Sequence, residues 1–181
     1  DTHIHQARDG ARRIVRVQRA DDQVIRKSGL NRRARRLFIA HFAEHMFFKG
    51  TERRPTARHI ATEIDGIGGE FNAFTGKEYT GYYVKCAAGT RDVALDVLVD
   101  MIRNSRFDAE EIEREKGVII EELNMYVDTP RDYVDGVYDH LLFGDQPLGR
   151  DIIGSKETIR AATRDTFLDY LDRWYRAPRM V

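Results

Sequence analysis

Between Leu37 and Phe48 the chain reads Leu-Phe-Ile-Ala-His-Phe-Ala-Glu-His-Met-Phe-Phe, and Lys49-Gly50 follows. No other stretch restricts the fold as tightly. Wound as a helix, these residues are apolar nearly all round, and a helix of that kind must be buried. Lysine in the last turn with glycine beyond it is a stop signal. Yet the run contains His41, Glu44 and His45. The two histidines are i and i+4, so they stand on one face a turn apart. Glu44 lies at the edge of that face. Polar groups carried into a core need partners, and two imidazoles at this spacing suit one Zn²⁺ ion, with Glu44 placed to hydrogen-bond a water on it. A bare pentapeptide of this type is weak evidence, because His and Glu on helices usually face solvent. The apolar surroundings give it weight.

A catalytic zinc site keeps three protein ligands and one open position. The third ligand should be a carboxylate from another element. Asp108 is a suitable N-cap for a long helix over about 109–126, with Glu110 and Glu111 in its first turn. That helix offers Glu110, Glu111, Glu113, Glu115, Glu121 and Glu122. Ile112, Ile119, Leu123 and Tyr126 share one stripe at helical spacing, which should face the core. Glu115 and Glu122, seven apart, flank that stripe on the same side, whereas Glu121 points to solvent. Helical phase does not choose between Glu115 and Glu122.

Other elements follow from local signals. Residues 11–18 suit a short strand. Pro55 opens a helix to about Ile67, closed by Gly66, Gly68 and Gly69. Residues 70–75 and 79–87 read as two strands around a Gly76-Lys77 turn. Helices are expected over 91–104 and 132–142, then a loop over 144–154 and one last helix from Thr158 to about Trp174. A hairpin set among helices predicts an α+β fold, an antiparallel sheet with helices packed on one face.

Composition narrows the class. With 181 residues, 41% hydrophobic and 33% charged, the chain should be globular. No apolar run approaches the roughly 18 residues of a membrane span. A single cysteine, Cys86, permits no internal disulfide and suits a reducing compartment. Residues 1–36 hold 11 Lys/Arg against 4 Asp/Glu, and the rest hold 19 against 26, so a neutral total hides a basic start. That segment lacks the interleaved aromatics of a nucleic-acid platform, so no nucleic-acid partner is expected. The domain reading is a basic, divergent, poorly ordered segment over 1–36 and a zinc-binding domain over 37–181.

Several motifs in one order resemble a known family. They are His41-Phe-Ala-Glu-His45-Met-Phe-Phe-Lys-Gly-Thr51, Gly68-Gly69-Glu-Phe-Asn72-Ala73-Phe-Thr75, Glu113-Arg-Glu-Lys-Gly-Val-Ile-Ile-Glu-Glu122, Asp128-Thr-Pro130 and Asp145-Gln-Pro-Leu-Gly149-Arg150. The chain resembles the inverzincin zinc metallopeptidases of the pitrilysin and mitochondrial processing peptidase group, specifically their zinc-binding half. By that resemblance His41, His45 and Glu122 are the ligands of one Zn²⁺ ion and Glu44 is the catalytic base. The interval from His45 to Glu122, 77 residues, matches the family's spacing. Glu115 matches the acidic residue that orients a histidine ligand. Asn72 and Ala73 match the strand on which such enzymes lay the substrate backbone.

The implied activity is endopeptidase cleavage of extended peptides or presequences. The implied partners are a peptide substrate and a second homologous domain or subunit that closes a chamber. The compartment would be a bacterial cytoplasm or the mitochondrial matrix. Two departures stand out. Residues 19–36 are Arg-rich where the family has an apolar strand and a Gly-Ser-Arg-x-Glu stretch, and the chain stops at Val181 without the homologous second half. Two rival readings are a noncatalytic structural or partner subunit of the same fold and, from another class, a module using the basic arm on nucleic acid or membrane.

Overall fold

The computed structural model describes residues 12–18, as a backbone strand, and residues 36–181. The remainder of the basic segment lies outside the described residues. Strand β1 (Arg12–Gln18) pairs antiparallel with β3 (Tyr79–Lys85), and β3 pairs antiparallel with β2 (Glu70–Thr75), giving the order β1-β3-β2. The register sets Val15 and Ala73 on either side of Tyr82. Thus β2 is an edge strand among the described residues.

Side chains alternate across this sheet as the pleat requires. Thr80, Tyr82 and Val84 are buried, and their β2 partners Thr75, Ala73 and Phe71 are half-buried. Glu70, Asn72 and Phe74 on β2 are exposed. The helices cover the first face. Helix α1 (Arg36–Phe47) packs on β2 and β3 on one side and on α4 (Ala109–Asp128) and α7 (Arg164–Trp174) on the other. Helices α2 (Ala57–Gly66) and α3 (Arg91–Asn104) pack on each other, on β2 and on β3 respectively. The α+β architecture with helices on one face is therefore as expected.

The long apolar run is the centre of the core. Ala40, Phe42, Ala43 and Phe47 are fully buried. Phe47 meets the rings of Tyr82, Phe107 and Tyr175, and Phe42 meets Phe167. Within α1 past its first turn, only His41, Glu44 and His45 are open to any degree. The buried cysteine, Cys86, joins the same core.

Helix α4 begins as its sequence predicts: the Asp108 carboxylate accepts from Glu110 N–H at 2.9 Å and from Glu111 N–H. It runs to Asp128, and Pro130 opens α5 (Pro130–Phe143) at its first position. The single last helix is a correction. It is two helices, α6 (Lys156–Arg160) and α7, because Ser155 with Thr158 and Thr163 with Thr166 each form a local cap that starts a new helix. Among the described residues no helix is long and apolar enough to cross a membrane.

Candidate metal centre

Helix α1 carries His41 and His45 toward α4, and their ring centroids lie 4.7 Å apart. His41 Nε2 and His45 Nε2 are 3.3 Å apart. Glu122, from the middle of α4, turns one oxygen to each ring: Oε1 lies 3.5 Å from His41 Nε2 and Oε2 lies 3.5 Å from His45 Nε2. These three residues form the one group among the described residues whose His, Cys, Asp or Glu ligand atoms converge, all within 4.8 Å.

Glu115, two turns earlier on α4, sits behind the cluster. Its Oε1 is 2.8 Å from His45 Nδ1. That contact assigns the imidazole proton to Nδ1 and leaves the Nε2 lone pair facing His41 and Glu122. Glu115 and Glu122, which helical phase did not separate, take different places in the structure. Glu122 faces the converging nitrogens and Glu115 faces the opposite nitrogen of one ring. Glu121 is exposed, as its phase predicts.

The donor set fits a zinc ion on its own geometry. A tetrahedral centre with Zn–N and Zn–O bonds of about 2.0–2.2 Å has ligand–ligand edges of about 3.3–3.6 Å. The two nitrogens are 3.3 Å apart, within that range, and each lies 3.5 Å from a different oxygen of Glu122, so no single oxygen makes both contacts at that length. Among the described residues, Glu122 Oε2 is buried and has no hydrogen-bond partner, and His41 Nδ1 is likewise unmet. Such orphaned buried atoms are costly unless something else satisfies them. One of the two, the carboxylate oxygen, lies 3.5 Å from His45 Nε2.

Charges follow position. Hydrogen bonding to His41 holds the Glu122 carboxyl below the usual carboxylate range, against its burial. Burial pushes Glu115 up, but the hydrogen bonds from His45 and Lys49 outweigh it and hold that carboxyl down. Glu44 behaves oppositely. Burial raises its pKa, and the opposing pull of Thr75, His41 and His45 does not cancel the rise. A carboxyl of raised pKa beside a metal site is placed to exchange protons.

Thr75 was not singled out by sequence reasoning. Its hydroxyl donates to Glu44 Oε2, which aims the carboxylate across the site. The signal was present, since Thr75 shares the core-facing parity of Ala73. His41, Thr75 and Glu122 open onto a cleft of about 410 Å³, which Tyr126, Asp135 and Asp151 also line.

Asn72 and Ala73 lie on β2 at the free edge of the sheet. Gly76 N–H donates to Tyr79 C=O, so by the antiparallel alternation Ala73 turns its peptide groups away from β3. Its N–H is taken at 2.8 Å by the Asn72 side-chain oxygen. The edge therefore has an outward-facing backbone group held by a displaceable side chain.

Known proteins resemble the chain in sequence and in fold. The family described as Insulinase (Peptidase family M16) matches residues 38–156. The zinc protease YmxG of Bacillus subtilis is 45% identical over 143 residues, 79% of this chain and 35% of that protein. The mitochondrial-processing peptidase subunit beta of Dictyostelium discoideum is 40% identical over 146 residues, 79% of this chain and 30% of that protein. The chain thus spans about a third of the length of the curated relatives it matches. Among solved structures, the periplasmic protease PqqL of Escherichia coli superimposes with a TM-score of 0.75 at 22% identity, covering 92% of this chain and 18% of PqqL. A peptidase M16 inactive domain from Pseudomonas fluorescens gives 0.77 at 16% identity, covering 93% of this chain and 39% of that one. At those identities the likeness speaks for the fold alone.

Proposed function

Because this chain belongs to the insulinase family of peptidases, M16, we propose that it is the metal-bearing part of a zinc-dependent endopeptidase acting on extended peptides. One observation carries the reading: two imidazole nitrogens from one helix and a carboxylate from another converge within 4.8 Å beside a half-buried glutamate whose pKa is raised. His41, His45 and Glu122 would hold a single Zn²⁺ ion. Bound there, the ion supplies Lewis-acid chemistry, acidifying water and polarising a carbonyl. Glu44 takes a proton from water as it attacks the peptide carbonyl and passes that proton to the leaving nitrogen. Thr75 holds Glu44 in line. Glu115 fixes the tautomer of His45.

The substrate would lie as an added strand along β2, exchanging the Asn72 side chain for its own carbonyl at Ala73 N–H. The aspartates of the cleft wall, Asp135 and Asp151, suit a basic residue near the cut, as in a presequence. A second homologous domain or subunit would close the chamber over the cleft. The compartment we assign is a bacterial cytoplasm, or else the mitochondrial matrix, in keeping with relatives of both kinds and with the single cysteine.

Glu44→Gln tests this in the full-length protein. Zinc content should stay at one ion per chain while chelator-sensitive peptide cleavage falls by about 10²–10⁴. Cleavage at the parental rate would remove Glu44 from the mechanism. If the parent binds zinc yet cleaves nothing, and the substitution therefore changes nothing, the noncatalytic-subunit reading takes its place.

A further inference from the structure

His45 and Lys49 stand one turn apart at the end of α1, and both reach the same carboxylate. Glu115 is 4% exposed. Its Oε1 takes His45 Nδ1 at 2.8 Å and its Oε2 takes Lys49 Nζ at 2.5 Å. A buried carboxylate needs donors on both oxygens, and each oxygen here has one.

The location makes the lysine matter. The last carbonyls of a helix carry partial negative charge. A carboxylate brought against that end is repelled unless a cation accompanies it. Lys49 supplies the cation and a charge-assisted hydrogen bond. Its own backbone is fixed as well. Lys49 N–H donates to Met46 C=O at 3.1 Å, and the next residue, Gly50, has φ +138° with its Cβ position only 2.4 Å from the Pro55 carbonyl oxygen. Only glycine fits there, so the chain leaves the helix along one path and the lysine is aimed back at Glu115.

Without Lys49, one oxygen of Glu115 loses its donor and the side chain is free to turn. His45 would then lose the acceptor that fixes its Nδ1 proton. Among the described residues the other ring has no such support, since His41 Nδ1 meets no partner there. The orientation of the pair rests on the His45 side.

We propose that Lys49 is a positioning residue of the metal centre: it locks the Glu115 carboxylate in the geometry that accepts from His45 Nδ1, and so keeps His45 Nε2 aimed at the ion. This rests on the zinc-centre reading given above. The test is zinc affinity of the full chain, by competition with a chromophoric chelator, for the parent, Lys49→Met, Lys49→Arg, Glu115→Gln and the Lys49→Met/Glu115→Gln double variant.

Lys49→Met should weaken zinc binding about 10- to 100-fold, the usual cost of losing a partner behind a ligand. Lys49→Arg should restore most of it. Added to Glu115→Gln, Lys49→Met should cost nothing further, because both act through one contact. The visible spectrum of the Co²⁺-loaded protein should change in Lys49→Met and return in Lys49→Arg. Parental affinity in Lys49→Met, or an equal loss in both backgrounds, overturns the proposal. Should Lys49→Met fail to fold, Lys49→Gln replaces it and must show the same non-additivity. A parent that takes up no zinc sinks the zinc-centre reading itself, and that result is visible before any substitution is made.

Discussion

Two polar clusters are sunk into this molecule, and they are finished differently. One surrounds Arg54, in the turn after α1. Its guanidinium donates to both oxygens of Glu63 at 2.6 and 2.8 Å, to Asp100 at 2.7 Å and to Asp96 at 2.7 Å. Thr51 and Asn104 supply the remaining donors to Asp100, at 2.6 and 2.8 Å. The Asp100 side chain is 1% exposed, yet both of its oxygens are used. The other cluster is His41, His45 and Glu122. There, two ring nitrogens face each other at 3.3 Å, and a buried carboxylate oxygen has no hydrogen-bond partner. The first cluster is closed upon itself and ties the α1–α2 turn to α3. The second is complete only on its Glu115 side. A protein gains nothing in stability by leaving buried polar atoms unmet, and the proposed ion would meet them in the open cluster.

This contrast predicts opposite responses to substitution. Arg54→Met leaves Asp100 buried without its cation, beside Glu63, which loses its own, and Asp96, which keeps Arg53. Breaking a buried pair in this way costs about 3–5 kcal/mol, the largest effect expected here. Urea unfolding of the metal-free protein measures it, and zinc bound per folded molecule should not change. A variant as stable as the parent would show that Arg54 is not the keystone of that cluster.

Glu122→Gln should do the reverse. It removes one ligand from a site whose total metal binding, by comparison with structural zinc sites at about 10–16 kcal/mol, allots roughly 3 kcal/mol to each ligand. Zinc affinity should fall about a hundredfold. The unfolding free energy of the metal-free protein should stay within about 1 kcal/mol of the parent, since an amide oxygen can keep the contact to His41 Nε2 and no hydrogen bond to Glu122 Oε2 is lost. A large fall in metal-free stability would mean that this cluster, too, is structural, and the contrast would disappear.

The two clusters also differ in how much of them could be read before the fold was known. His41, Glu44 and His45 are neighbours along one helix, so periodicity alone exposes them. Glu115 and Glu122 are set apart from the other glutamates of α4 by phase, but only three-dimensional placement shows which ring nitrogen each one meets. Arg54 gave no local sign. Its partners come from the α1–α2 turn, α2 and α3, up to 46 residues away in sequence, and a lone arginine in a basic-looking turn reads as surface. Lys49 was legible as a helix stop and not as a partner of Glu115, because that contact spans two helices. The split of the last helix was missed for a different reason. Ser155 and Thr163 are ordinary residues until their hydroxyl partners three positions on are seen to close the caps. Short-range periodicity reveals groups on one element, and long-range pairing of charges needs the fold.

The smallest expected effect tests the same contrast by acid. Arg53 and then Arg54 hold Asp96 down to about 2, and Arg54 holds Glu63 down as well. Burial pushes Asp100 up, but Thr51, Asn104 and Arg54 together keep it below the ordinary carboxylate value. A carboxyl with a depressed folded pKa binds fewer protons in the folded state. Its stabilisation is therefore complete above its unfolded pKa near 4 and is lost as the pH falls toward 2. Asp96 and Glu63 are each more than a third exposed, so solvent screens their share and the buried Asp100 should dominate. Melting of the metal-free protein should thus move down between about pH 4 and pH 2. In Arg54→Met the same step should be shallower, because Glu63 loses the cation that depresses it and Asp100 loses one of its three depressing partners, while Arg53 still holds Asp96. Equal slopes in the two proteins would place the acid sensitivity elsewhere and leave the closed cluster without its electrostatic role.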